Sequence, residues 1–99
     1  MIHHVVLFRF NEGVTEAQEA EAGAALEGLA SRIPEIRGLA FGRNQAPSAG
    51  EWPWVLVVRL DDMTAVQHYA EHPAHVDVVQ RVLAPIRAAR LAVDVEVPA

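Results

Sequence analysis

The first segment with a clear pattern is residues 2–10, which is rich in β-branched and aromatic side chains and is typical of a β-strand. Successive side chains of a strand point to opposite faces. Both the even-numbered positions, such as Val6 and Phe8, and the odd-numbered positions, such as Val5 and Leu7, are apolar. A strand of this kind is usually covered on both sides. We therefore expect helices on one face and a second subunit on the other.

An amphipathic helix is predicted to follow the polar turn at residues 11–13. Thr15 and Gln18 have the spacing of a capping box, in which each side chain bonds to the other residue's backbone. Apolar residues then recur at helical spacing. These are Ala22, Leu26, Leu29 and Ile33. Pro34 is expected to end the helix, because the residue before a proline is disfavoured in the α conformation.

Two further strands are predicted at residues 36–44 and 54–60, separated by a loop at residues 46–51 that is rich in Pro, Ser and Gly. Gly38 and Gly42 weaken the first of these strands. In the second, the apolar residues at even-numbered positions form one face. They are Trp54, Leu56, Val58 and Leu60.

The C-terminal part predicts two helices and a strand. Asp61 and Asp62 can cap a helix at about residues 63–71, and Pro73 favours a new helix, because Pro is well tolerated in a first turn. The apolar stripe of that last helix is Val76, Val79, Leu83 and Ile86. Pro85 is expected to kink it. Residues 91–97 alternate between apolar and other side chains, which indicates a final strand.

The resulting order, β-α-β-β-α-α-β, predicts a ferredoxin-like α+β fold with an antiparallel four-stranded sheet and helices on one face. We interpret residues 1–99 as a single domain, since a chain of 99 residues is the size of one small domain. Arg9 and Arg59 have the parity of the face that we assign to the dimer interface. We expect them to pair with Asp94 or Glu96 across the two sheets, with binding of an anionic ligand as the alternative.

Composition removes several classes of function. The formal net charge of −5 and eight scattered arginines argue against nucleic-acid binding, which needs clustered basic residues. The absence of cysteine excludes disulfides and thiolate chemistry. No apolar run approaches the roughly 20 residues that span a bilayer, and no signal peptide is recognisable, so we expect a cytoplasmic protein without a membrane partner.

Three segments together resemble the stress-responsive dimeric α/β-barrel family. They are residues 2–10, the sequence Gly42-Arg43-Asn44, and residues 69–76, which read Tyr-Ala-Glu-His-Pro-Ala-His-Val. The resemblance extends from residue 2 to about residue 97. It implies a ferredoxin-like subunit that forms a homodimer through its sheet, giving a dimeric α/β barrel. Many members have no assigned activity, and a plant branch contains a polyketide cyclase that closes a linear tetraketide by aldol chemistry.

The resemblance to the plant cyclase branch also implies candidate site residues. Tyr69 and His75 match its catalytic Tyr and His, and His4 matches a further pocket residue. Trp54 stands where that branch has another pocket His, and His72 completes the motif. A histidine acts as a general base near neutral pH, and a Tyr hydroxyl polarises a carbonyl. We expect a cavity bounded by Tyr69, His75 and Trp54 that binds a small hydrophobic or aromatic molecule.

Two other interpretations remain open. In the first, the protein is a non-catalytic stress-related dimer in which His72 caps a helix and His75 bonds to the backbone. In the second, the fold alone suggests a cofactor-free monooxygenase-like barrel. No metal is expected, since His3 and His4 point to opposite faces and Pro73 breaks the helical spacing of the later histidines. No cofactor is expected either, since the sequence has no Gly-rich phosphate loop or dinucleotide fingerprint. The sequence leaves open a hard cation on backbone carbonyls at residues 33–39.

Overall fold

A computed structural model describes residues 1–99, and its elements follow the predicted order. The strands are β1 (Ile2–Phe10), β2 (Gly38–Arg43), β3 (Trp54–Leu60) and β4 (Arg87–Glu96). The helices are α1 (Glu16–Gly28), α2 (Met63–Glu71) and α3 (Pro73–Val78). A 3₁₀ turn at Leu29–Ser31 follows α1, and a π-helical turn at Val79–Leu83 follows α3.

The four strands form one antiparallel sheet in the order β2-β3-β1-β4. Its inner face packs against the helices, and the core lies between these two layers. The buried side chains from the sheet are Ile2, Val6, Phe8, Leu56, Val58 and Leu60. Those from the helical layer include Leu26, Leu29, Tyr69, Val78 and Leu83. The predicted ferredoxin-like α+β fold is confirmed.

The opposite side of the sheet, which we call the outer sheet face, is apolar and uncovered within one chain. Its cross-strand neighbours are Val5, Leu7, Val55, Val57, Leu91 and Val93, with Val95 beyond them on β4. Leu91, Val93 and Val95 are 46%, 48% and 48% exposed. Contiguous apolar surfaces of this kind mark interaction sites in soluble proteins.

The helix starts follow from side chains that accept the free backbone N–H groups of a first turn. The predicted capping box of α1 is formed, since Gln18 N donates to Thr15 Oγ1 at 3.2 Å and Thr15 N donates to Gln18 Oε1 at 2.8 Å. Asp62 caps α2 by accepting from Ala65 N at 2.8 Å. These caps fix where α1 and α2 begin, and α2 carries Tyr69.

Pro85 ends the last helix instead of kinking it, which corrects the sequence prediction. The helical turns stop at Leu83, and Pro85 lies in the turn that leads into β4. The Ala84 N–H donates to the carbonyl of Val79 at 2.8 Å, a bond that spans five residues and widens the last turn. Because proline has no N–H to continue the helical bonding, the chain leaves the helix here.

The pairing of β1 with β4 contains a β-bulge. Arg9 lies opposite Ala89 and Phe10 lies opposite Arg87, so Ala88 is an extra residue on β4. Phe8 lies opposite Arg90. Without the extra residue, alternation would place Arg87 and Arg90 on different faces of the sheet. The bulge instead places both arginines on the inner face.

Candidate functional site

Tyr69 and His75 lie together because of the break between α2 and α3. His72 is extended at φ −60° and ψ 134°, and Pro73 occupies the first turn of α3. The chain therefore changes direction between the two residues, and their ring centroids lie 4.5 Å apart. Tyr69 is 1% exposed, whereas His75 is half-buried at the edge of the core.

The tautomer of His75 follows from its hydrogen bond. Its Nδ1 lies 3.0 Å from the carbonyl oxygen of Ala70. A carbonyl only accepts, so Nδ1 carries the hydrogen and Nε2 of the neutral ring keeps its lone pair. Burial lowers the pKa of His75, because it disfavours the charged ring. The bond to Ala70 opposes this lowering of the pKa, while the positive charges of Arg90 and Arg87 add to it.

The hydroxyl of Tyr69 is buried and has no hydrogen-bond partner. Burial raises its pKa to about 12, with Arg90 acting in the opposite direction, so the group remains a neutral donor at physiological pH. An unpartnered buried polar group costs about 1–3 kcal/mol, and such groups are rare in native proteins. A group of this kind next to a basic nitrogen is suited to donate a hydrogen bond to a bound carbonyl oxygen.

A cavity of about 20 Å³ lies between the inner face of the sheet and the helical layer. His4, Tyr69, His75, Arg87 and Arg90 provide its polar lining, and core side chains provide the rest. This volume holds a group of about the size of one water molecule. His75 also borders an open depression of about 230 Å³ at the surface of α3, so it lies between the cavity and a larger exposed space.

His4 approaches the pair from β1. Its ring meets that of Tyr69 edge-on, with centroids 5.7 Å apart. Its Nδ1 lies 2.6 Å from Oδ1 of Asp94, the residue directly opposite on β4. The carboxylate accepts from Nδ1–H, which fixes the ring orientation and leaves Nε2 free of this bond. Asp94 is therefore a positioning residue for His4.

The structure brings His4, Tyr69 and His75 together and places Trp54 elsewhere. The expected cavity bounded by Tyr69, His75 and Trp54 is not formed. Trp54 lies opposite Phe8 and His4 lies opposite Val58, which separates them by four residues, about 13 Å, along the strands. The Trp54 ring stacks on Phe41 at a centroid distance of 5.2 Å.

Trp54 instead borders an open groove of about 510 Å³ beside α1. Its Nε1 donates to Oε2 of Glu19 at 3.2 Å, and the guanidinium of Arg43 lies 4.6 Å from the ring centroid. The aromatic cluster around Phe41 thus fills the space between the groove and the cavity at His75. Our placement of Trp54 in the pocket was wrong for this reason.

His72 has a structural position. Its Nδ1 accepts a hydrogen bond from Ala74 N at 3.0 Å and so caps α3. The side chain does not line the cavity. The placement of His72 in the pocket is therefore corrected, and its helix-capping interpretation is confirmed.

Three residues of the site carried no clear signal in the sequence, namely Arg87, Arg90 and Asp94. The expected pairing of Arg9 or Arg59 with Asp94 is also wrong, because Asp94 lies on the inner face of the sheet and Arg9 pairs with Glu51 at 3.4 Å. The sequence alone did not show which residues of β4 lie opposite those of β1, and this register decides which face of the sheet Asp94 occupies. Arg87 and Arg90 follow the last helix by a few residues, but nothing local in the sequence shows which face of the sheet they occupy.

Two further properties concern metals and membranes. No group of three or more His, Asp or Glu side chains is arranged to hold a metal ion. None of the helices combines the length and apolar character needed to cross a bilayer.

The fold and the site define a small ferredoxin-like α+β protein with a Tyr-His pair between sheet and helices. Residues 2–97 match the family described as the Stress responsive A/B Barrel Domain, and the chain belongs to this family.

Its relatives differ in what is known of them. The chain is 26% identical over 77 residues to olivetolic acid cyclase of Cannabis sativa, covering 76% of each protein. It is 31% identical over 77 residues to an uncharacterised protein of Streptomyces coelicolor, covering 76% of this chain and 79% of the relative. A dimeric ferredoxin-like protein of unknown function from Thermobifida fusca has a TM-score of 0.84 at 34% identity, covering 97% and 90% of the two chains.

Proposed function

We propose that this protein binds a small enolisable carbonyl compound at the Tyr69–His75 pair and catalyses proton transfer at its α-carbon. The observation that carries the proposal is the buried, unpartnered Tyr69 hydroxyl beside a histidine whose Nδ1 is already bonded to Ala70. One group is a free donor and the other leaves a free basic nitrogen. Similarity to a plant cyclase adds support, because aldol cyclisation begins with this step.

The proposed step is balanced in protons and electrons. Nε2 of His75 takes a proton from the carbon next to the carbonyl, and the C–H electron pair moves to form the enolate. Tyr69 donates a hydrogen bond to the enolate oxygen, where negative charge develops. The enolate carbon then attacks a second carbonyl of the same molecule, and the imidazolium of His75 returns the proton to the new alkoxide.

The dimensions of the site restrict the substrate. The cavity of about 20 Å³ has room for a carbonyl oxygen, which is about the size of one water molecule. The rest of a longer molecule would lie in the depression of about 230 Å³ that His75 also borders. We therefore propose short oxo compounds as substrates, with aromatic or polyketide-like molecules as the longer members of the class.

The functional unit is proposed to be a homodimer formed through the outer sheet face. Leu91, Val93 and Val95 are about half exposed in one chain, and water contact with such a surface is unfavourable by about 25 cal/mol per Å². The related protein of Thermobifida fusca is described as dimeric. Packing of two outer sheet faces would cover the apolar side chains and leave the helical side of each subunit accessible.

Deuterium exchange at the α-carbon of short 1,3-diketones and 3-oxo acids, followed by NMR in D₂O, tests the proposed chemistry directly. The protein should accelerate the exchange over buffer alone. His75→Gln should lower this acceleration about 100-fold or more, the usual contribution of a general base. Tyr69→Phe should lower it by about 100-fold through loss of the enolate donor. Exchange that is equal in wild type and both variants would contradict the proposal.

A second candidate, a non-catalytic dimer, is favoured by one observation. The two motif histidines bond to backbone groups, His72 to Ala74 N and His75 to the carbonyl of Ala70. In that case His75→Gln should lower the free energy of unfolding, and no compound should exchange faster with protein than without it. Exchange rates and urea unfolding of the same variant therefore separate the two functions.

A further inference from the structure

Arg87 and Arg90 line the cavity and have no acidic partner there. Arg9, Arg37 and Arg81 each pair with a carboxylate, at 3.4, 2.9 and 3.0 Å. Neither Arg87 nor Arg90 forms an ion pair or a side-chain hydrogen bond, although both line the cavity with Tyr69 and His75. The nearby carboxylate of Asp94 is bonded to His4 instead.

The two arginines reach the cavity through the β-bulge at Ala88. Phe8 and Phe10 point to the inner face, and Arg90 and Arg87 lie opposite them. Bulges that redirect a side chain occur often next to active sites. Here the extra residue places a second guanidinium on the same side of the sheet, next to a like charge. Arg87 is half-buried and Arg90 is exposed.

This arrangement is electrostatically unfavourable in the free protein. Burial lowers the pKa of Arg87, and repulsion from Arg90 adds to the effect. Arg87 and Arg90 both add to the lowering of the pKa of His75 as well. A half-buried charge is normally paired. The charges that face this site are those of Arg87, Arg90 and Asp94, together with the titratable side chains of His4, Tyr69 and His75. Asp94 is the one carboxylate among them and is bonded to His4, so at least one of the two positive charges has no local counter-charge.

We propose that Arg87 and Arg90 form a carboxylate-binding subsite, so that the substrate of this protein is a short oxo acid whose carboxylate binds the two guanidinium groups while its ketone approaches Tyr69. A guanidinium presents parallel N–H donors that match the two oxygens of a carboxylate. A planar carboxylate also fits a confined space better than a tetrahedral phosphate. This inference rests on the proposed function for the position of the ketone.

The electrostatic consequence deepens the proposed chemistry. A carboxylate bound to Arg87 and Arg90 neutralises the positive charge near His75. The neutral imidazole then gains a proton more readily when it acts as the base, because repulsion between its charged form and the arginines is reduced. Binding of the correct substrate therefore makes His75 more basic, whereas a neutral analogue does not.

The test compares acetoacetate with its neutral analogue methyl acetoacetate by isothermal titration calorimetry at pH 7. Wild-type protein should bind the acid more tightly than the ester. Arg87→Gln and Arg90→Gln should each raise the dissociation constant of the acid about 10-fold or more, the value of a charge-assisted hydrogen bond. The dissociation constant of the ester should change less than about twofold. Arg32→Gln, at an exposed residue outside the cavity, is the matched control and should change neither.

Arg87→Lys provides a second variant that retains the charge but lacks the planar fork, and it should bind the acid with intermediate affinity. Equal binding of acid and ester, or arginine variants that bind the acid as wild type does, would overturn the subsite. Inorganic phosphate that binds as tightly as acetoacetate with the same arginine dependence would overturn the assignment to carboxylates.

Arginine-dependent binding without α-proton exchange would retain the subsite and contradict the proposed catalysis. If the protein accelerates α-proton exchange equally in the acid and in the ester, the proposed catalysis is retained and the carboxylate subsite is contradicted.

Discussion

His4 Nδ1 lies 2.6 Å from Oδ1 of Asp94, directly across the β1–β4 pair. The bond orients a ring that meets Tyr69 edge-on at the cavity. We expect Asp94→Asn to lower the free energy of unfolding by only about 0.5–1 kcal/mol, because the pair is partly exposed. The α-proton exchange rate should fall by about 10-fold or more, because a misoriented His4 displaces the groups that line the cavity.

Glu96→Gln is the matched control for Asp94→Asn, since Glu96 lies on the same strand without an ion pair. It should change neither urea unfolding nor exchange. If the loss of exchange rate in Asp94→Asn, converted to a free energy, is no larger than the loss of unfolding free energy, Asp94 has only a structural role.

The unpartnered hydroxyl of Tyr69 predicts an unusual response to mutation. Tyr69→Phe removes a buried polar atom that has no hydrogen bond, so the free energy of unfolding should stay the same or rise by about 1 kcal/mol. The exchange rate should fall at the same time, since sites for function are often built at a cost in stability. Urea denaturation with matched exchange assays measures both. A destabilisation above about 1 kcal/mol would show that the hydroxyl has a structural partner.

The pKa of Tyr69 can be measured cleanly because it is the only tyrosine in the chain. The absorbance of tyrosinate should appear with a midpoint of about 12 in the folded protein and near the ordinary value of 10.0 in denaturant. The unfolded chain loses the proton first. The free energy of unfolding should therefore fall as the pH rises from 10 toward 12. A folded-state midpoint near 10 would contradict the buried position of the hydroxyl.

The lowered pKa of His75 predicts how stability depends on pH in the acid range. The unfolded chain binds a proton at the ordinary value of 6.5, and the folded protein binds it only at lower pH. Between these two pKa values the unfolded state carries more protons, so the free energy of unfolding decreases as the pH falls. Well above 6.5 His75 is neutral in both states and contributes no pH dependence.

Urea midpoints of wild type and His75→Gln between about pH 5 and 8 test this prediction. The other histidines are common to both proteins, so their effects cancel in the difference. The difference in stability should change with pH around and below 6.5 and become constant well above it. A difference that is constant across the range would show that the histidine titrates normally in the folded state.

The elements of the fold could be predicted because their signals are local. The capping box of Thr15 and Gln18, the proline at residue 73 and the alternation of β3 all act within a few residues of the chain. The meeting of Tyr69 and His75 was also predictable, since a proline break between two helices lies inside a recognisable motif. Each of these features depends on the backbone preferences of neighbouring residues, and the tertiary contacts of the folded chain agree with those preferences.

The rest of the site depends on pairing between distant strands. The register of β1 against β4, with its extra Ala88, decides that Arg87 faces the cavity. The segment Arg-Ala-Ala-Arg has no alternation that would reveal a strand, and Ala fits either face. Trp54 was misplaced for a similar reason, because parity gave its face but not its distance along the sheet from His4.

His72 provides a test of capping separate from chemistry. His72→Ala should lower the free energy of unfolding by about 1 kcal/mol, because Ala74 N loses its acceptor. His72→Asn should restore most of this loss, since Asn is a preferred N-cap residue. Circular dichroism during urea unfolding gives both values. Neither variant should alter the affinity for acetoacetate, and a loss of affinity in His72→Asn would show that the imidazole itself contacts the ligand.

Dimerisation through the outer sheet face predicts the effect of a single charge. Val93→Glu places a carboxylate at the centre of this face, where a second subunit would leave it buried and unpaired. Light scattering should change from the mass of a dimer to that of a monomer. Val76→Glu, at an exposed valine of α3 that is 37% accessible, is the matched control and should remain dimeric. A wild-type protein that is monomeric at micromolar concentration, or a Val93→Glu variant that stays dimeric, would place the interface elsewhere.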